Sequence, residues 1–146
     1  MSRAKNLANF QTTITDGTTS VATSFVTNGS AKVWINLNPA VVTNASDMTG
    51  VNDSFSVSSV IDNTNGDVTI NFTNNMGNIY YSHNGSAHFD GSTTGLYTFG
   101  LRSNTSWSSE KTASLIRYQS TFVSATHTRT GFDSDENILT IHGDLA

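Results

Sequence analysis

Residues 55–73 read FSVSSVIDNTNGDVTINFT, two apolar-patterned halves that meet at Asn65-Gly66. After the dipeptide, Val68, Ile70 and Phe72 alternate strictly with Asp67, Thr69, Asn71 and Thr73. Successive side chains of a strand point to opposite faces, so this pattern predicts a strand with one face buried. Before it, Phe55, Val57 and Ile61 mark the matching apolar face, and the Ser58-Ser59-Val60 step breaks the alternation, which predicts a β-bulge. Asn-Gly suits a type I′ turn, because both central residues need positive φ, which Asn tolerates and Gly adopts freely. The stretch therefore predicts an antiparallel hairpin, and with it a β-rich fold.

The rest of the chain repeats the same grammar. Thr18 to Thr27 reads as a strand ended by Asn28-Gly29, and Lys32 to Leu37 sets Val33, Ile35 and Leu37 against Trp34 and Asn36. Pro39, the only proline, marks the exit from that strand, and residues 40–53 read as a connection with some helical character around Ala45 to Met48. Asn78 to His83 and Ser86 to Asp90 flank Asn84-Gly85 as a second hairpin; Leu96 to Arg102, Ala113 to Ala125 and Asn137 to Gly143 complete the strands. No segment holds a helical period over ten or more residues. Short strands punctuated by turn signals predict an all-β antiparallel sandwich, jelly-roll or barrel-like fold. Residues 1–30 are set apart as a short extended arm, in which Leu7 and Phe10 are the candidate attachment residues, and residues 31–146 form the β-rich knob.

Composition narrows the class. Ser, Thr, Asn and Gly supply nearly half of the 146 residues, and only 12% are charged, against about 25% in an ordinary soluble domain. Such a surface is covered by hydroxyls and amides, as in many extracellular or virion β-proteins. Eight Phe, four Tyr and two Trp spread along the chain argue for folding rather than disorder. With no cysteine, neither a disulfide framework nor a thiolate site is available. A net charge of -4 without a basic cluster argues against nucleic acid. Nothing approaches the roughly 20 apolar residues of a membrane span, and Met1 to Phe10 lacks the apolar core of a signal peptide. Sequons at Asn28, Asn44, Asn52, Asn71, Asn84 and Asn104 are expected by chance in a chain so rich in Asn, Ser and Thr.

The run from Ala31 to the end resembles a module found in tail-fibre and related structural proteins of marine and other tailed bacteriophages. The likeness rests on AKVWINL (Ala31 to Leu37), the Ser-Phe-x-Val-Ser-Ser strand from Ser54, the Gly66-Asp67 turn, Thr-Ile-Asn-Phe-Thr (Thr69 to Thr73) and the closing ILTIHGDLA (Ile138 to Ala146). It departs at Asn75-Met76-Gly77-Asn78, where the family often has a proline after the Met, and residues 1–30 stand where typical fibres carry a long shaft. The resemblance implies a homotrimeric knob on the virion exterior, synthesised in the host cytoplasm and docked on other virion proteins through its N-terminal arm. Apolar residues at both phases of the strands fit that expectation: Trp34 opposes Val33 and Ile35, Tyr97 and Phe99 oppose Leu96, and Ile116, Tyr118 and Phe122 oppose Leu115 and Val123.

No catalytic site emerges from the residues. Asp133-Ser134-Asp135-Glu136 offers oxygen ligands but lacks the glycine and pattern of a Ca²⁺ loop, and it reads as a solvated loop. His83, His88, His127 and His142 show no His-x-x-x-His or His-x-His pair, so neither metal nor cofactor is expected. There is no Gly-x-Ser-x-Gly elbow, and Asp62, Asp67, Asp90 and Asp133 fall mostly in turns rather than in a paired-carboxylate cleft. Binding is the more natural use of loops rich in Tyr, Ser, Gly and Asn. The candidates are Tyr80, Tyr81 and His83 in one loop and Asn104 and Trp107 in another, although strand alternation turns one of the two tyrosines inward. Recognition of a bacterial surface glycan is the leading expectation; a capsid decoration, head-fibre or small tail component with no receptor role is the alternative.

Overall fold

The computed structural model describes residues 13–16, 18–23, 26, 29–89, 91, 96–101, 110–123 and 129–146. The protein is an all-β antiparallel sandwich. Its strands are β1 (Thr13–Asp16), β2 (Thr19–Ala22), β3 (Val33–Leu37), β4 (Val51–Phe55), β5 (Val57–Thr64), β6 (Asp67–Phe72), β7 (Ser82–His88), β8 (Leu96–Leu101), β9 (Leu115–Val123), β10 (Arg129–Gly131) and β11 (Glu136–His142). One sheet has the order β4-β3-β11-β7, and the second contains β5, β6, β8, β9 and β10. In the second sheet β9 pairs with β6 through Leu115 to Gln119 and with β10 through Thr121 to Val123. Since β8 pairs with β9 across parts of both stretches, it lies along one side of β9, and β6 and β10 lie end to end along the other, with β5 beyond β6.

The alternation of β3, β6 and β11 does what a period of two requires. Val33, Ile35, Leu37, Val68, Ile70, Ile116, Leu139 and Ile141 are fully buried between the sheets, with Phe72, Met76 and Tyr118 beside them. Burying a side chain of this size contributes about 1.5–3 kcal/mol. The expected bulge occurs, since register shifts between Val57 and Ser59. Its consequence differs from the expected apolar face: the shift turns Val60 fully inward, leaves Ile61 half-buried, and Phe55 is 55% exposed. Phe55 and Val57 in fact belong to different sheets, joined by Ser56 alone, whose φ of 60° makes the corner. The edge of β5 is closed by the 43–47 segment, with Val60 N donating to Asp47 O and Asp62 N to Thr43 O, both at 2.7 Å.

Four expectations are corrected. The Asn65-Gly66 turn is not type I′, because Gly66 has φ +73° while Ser56 is the only non-glycine of positive φ among the described residues. Asn84-Gly85 is no turn either: β7 runs unbroken through it, paired with β11 from Ser82 to His88. Glycine is needed there for a close approach, since a Cβ would lie 2.8 Å from Phe99 Cδ1 and 3.1 Å from Tyr118 Cε1. Instead of a simple extended arm, Thr13 to Ala22 forms a hairpin in which β1 and β2 pair with each other. The 40–53 connection carries a short 3-10 turn at Pro39–Val41, capped by the Asn38 side chain; no helix forms around Ala45 to Met48, and β4 begins at Val51.

Candidate functional site

The loop that joins β6 to β7 is tied down at its base. Met76 N donates to Ala113 O and Gly77 N to Asp144 O, each at 2.7 Å, and Ala146 N donates to Asn75 O at 2.9 Å. Asn78 Oδ1 then accepts the Tyr80 amide at 2.7 Å, an Asx turn that lifts the chain outward. Tyr80 is consequently 87% exposed, and Ile79 beside it is exposed too.

Tyr81 points the other way and is corrected from a ligand-binding candidate to a core residue. It is only 4% exposed, its hydroxyl donates to the Thr112 and Leu115 carbonyls (3.0 and 3.2 Å), and its ring meets Phe72 edge-on at 5.9 Å. Alternation of side chains along an extended backbone forces this split between neighbouring tyrosines. Burial, with the Tyr118 phenol nearby, pushes the Tyr81 phenol well above its ordinary value.

His83, two residues on, is half-buried and hydrogen-bonded through Nδ1 to the Tyr118 hydroxyl, the rings standing edge to face at 5.4 Å. Tyr118 is buried, so its phenolic proton needs an acceptor; Nδ1 is that acceptor, and neutral His83 carries its proton on Nε2. Lys111, which sequence reasoning overlooked, closes the group. Its Nζ donates to the Tyr81 carbonyl at 2.6 Å and lies 4.3 Å from the Tyr81 ring centroid, a cation–π contact. Burial and then the Lys111 charge hold the His83 imidazole below its usual value, and burial does the same to the Lys111 ammonium. No spacing rule connects Lys111 with Tyr81, so only the folded chain could reveal the contact. Asn104, Trp107, Leu7 and Phe10 lie outside the described residues.

Elsewhere, ionisable groups serve the fold. Arg117 on β9 holds the fully buried Asp67 on β6 and also stands 3.6 Å from Glu110 Oε2. The acidic 133–136 loop is not simply solvated, as expected, but built into the sandwich. Asp133 accepts the Gly66 amide, buried Ser134 donates to Asn137 Oδ1, and Glu136 accepts from Asn36 Nδ2 at 2.6 Å. Among the described residues no group of three acidic or histidine side chains is placed to hold a metal ion.

The outer face of the four-stranded sheet is the second exposed feature. Phe55, Trp34, Thr140 and Asn84 form one row across β4, β3, β11 and β7, followed by Asp53, Asn36, Ile138 and Ser86. Phe55 and Ile138, at 55% and 42% exposure, leave apolar surface open on this face, and Asn52, Asn36 and Glu136 are linked across it by hydrogen bonds. Among the described residues no helix is long and apolar enough to cross a membrane. Comparisons of the chain with known protein families, with curated proteins and with solved structures yield no match.

Proposed function

We propose that this chain is a bacteriophage virion structural protein, a tail-fibre or short-fibre knob that recognises a glycan on the host surface. The observation that carries the reading is Tyr80, held 87% exposed by the Asx turn of a loop anchored at its base. An aromatic ring presented rigidly at low entropic cost suits stacking on a sugar face. The resemblance of Ala31 to Ala146 to phage fibre modules supports the virion setting, and three copies per knob would multiply a weak single site by effective concentration. The test is adsorption: purified protein should block phage attachment to host cells, and Tyr80→Ala should lose the block while staying folded. Free protein that never competes with the particle would sink the receptor reading.

The open face carrying Trp34, Phe55 and Ile138 favours a second, structural reading, in which this surface is covered by neighbouring subunits. A homotrimer in solution, measured by light scattering, accords with the knob. A monomer would favour a capsid decoration or small tail protein that assembles only on the particle.

A further inference from the structure

Exposed Asn65 precedes buried Gly66 in the turn between β5 and β6. Asn-Gly is the pair most prone to lose the asparagine amide, because glycine has no side chain to hinder its own nitrogen. That nitrogen gives up its proton and attacks the asparagine Cγ, ammonia leaves, and water opens the resulting succinimide to aspartate or isoaspartate. In the folded protein the peptide unit that would react is clamped. The Gly66 N–H donates to Asp133 Oδ1, and the Asn65 carbonyl lies so close to Gly131 that a Cβ there would collide with it. The Gly66 carbonyl accepts from Ser120 N at 2.7 Å and from Ser120 Oγ at 3.2 Å. Gly66 N therefore cannot swing toward the Asn65 side chain without breaking contacts to β9, β10 and Asp133. A carboxylate facing the N–H also opposes loss of its proton, since the amide anion would stand against a negative charge.

We propose that Asn65 is a masked deamidation site, guarded by Asp133, that reacts only when the turn comes away from β9 and β10. Hydrolysis at Asn65 then marks chains that have opened. In isoaspartate the main chain runs through Cβ and is one carbon longer, so the contacts of Gly66 with Asp133 and Ser120 cannot re-form in register. A reversible opening is thereby followed by an irreversible step that traps the chain out of its fold.

The full chain is aged at neutral pH in buffer and in unfolding urea, then digested, and each Asn-Gly peptide is followed by mass for conversion of amide to acid. Isoaspartyl-specific methylation is the second readout. In urea Asn65 should convert as fast as Asn28 and Asn84, which precede Gly29 and Gly85. In buffer Asn65 should convert at least about tenfold more slowly than in urea, because the opened turn is a minor population. Equal rates in the two media overturn the masked site, and this comparison needs no variant. Asp133→Ala, shown by a thermal melt to be folded, removes a hydrogen bond to a charged acceptor and should speed conversion of Asn65 by about tenfold or more. Asp133→Asn keeps an oxygen acceptor for Gly66 and should remain slow. An unchanged rate in Asp133→Ala, or an equal acceleration in both variants, overturns the hydrogen-bonded guard. A slower rate in Asp133→Ala overturns it too, making the carboxylate a base in the reaction. Chains carrying isoaspartate at this position should not recover the native melt after urea is removed; full recovery overturns the trap.

Discussion

Arg117 on β9 grips Asp67 on β6 with two parallel hydrogen bonds of 2.7 Å, Nε to Oδ1 and Nη2 to Oδ2. The carboxylate is fully buried while the guanidinium keeps partial contact with water. Removing the base from such a pair leaves a buried anion without its partner, which costs about 3–5 kcal/mol. Arg117→Met should therefore lower the urea midpoint strongly, and the double variant Arg117→Met/Asp67→Leu should recover much of the loss. A double variant no more stable than the single one would contradict this account.

Gly66 is the second point of fragility. Its φ of +73° is left-handed, and a Cβ there would collide with the carbonyl oxygens of Ser120 and Phe132. The backbone term alone costs about 1–2 kcal/mol for an L-residue. Gly66→Ala should exceed that in denaturant unfolding, because β10 and the Asp133 contact must also move. Gly29, with open space around its Cα, should tolerate alanine without measurable loss.

The adjacent tyrosines should separate cleanly. Tyr80→Ala touches an exposed side chain and should change stability by less than about 0.5 kcal/mol. Tyr81→Phe removes the donor to the Thr112 and Leu115 carbonyls and should cost about 1 kcal/mol. Thermal melts of the two variants give the comparison.

His83 makes stability depend on pH. Its folded-state pKa is lowered, first by burial and then by Lys111, so between that value and the ordinary 6.5 the unfolded chain binds more protons than the folded one. Stability should therefore be fully present above 6.5 and decline as the pH falls through this window toward the folded pKa. Tm profiles should show the acid-side slope in the native sequence and a shallower one in His83→Gln. Parallel profiles would mean that another group carries the effect.

Much of the fold was legible because alternation is a local property. The inward residues of β3, β6 and β11, and the bulge after Val57, follow from neighbours two or three positions apart. Where dipeptides were used as turn signals the reading was less secure. Asn84-Gly85 carries the same letters as Asn65-Gly66, yet one lies inside a strand because two rings from β8 and β9 need the space above Gly85. Tyr80 and Tyr81 were both legible as candidates, and only their assignment outward and inward awaited the backbone.

By itself the sequence determined the β class, the absence of cysteine chemistry, a surface of hydroxyls and amides, and most of the strands that build the core. The tertiary structure alone decided that the chain changes sheets at Ser56, that Asp133 closes on Gly66, and that Lys111 meets Tyr81. The physical reason is one of range. Strand periodicity is written into adjacent residues, whereas contacts across 67 or 30 positions of chain exist only once the sheets have packed face to face.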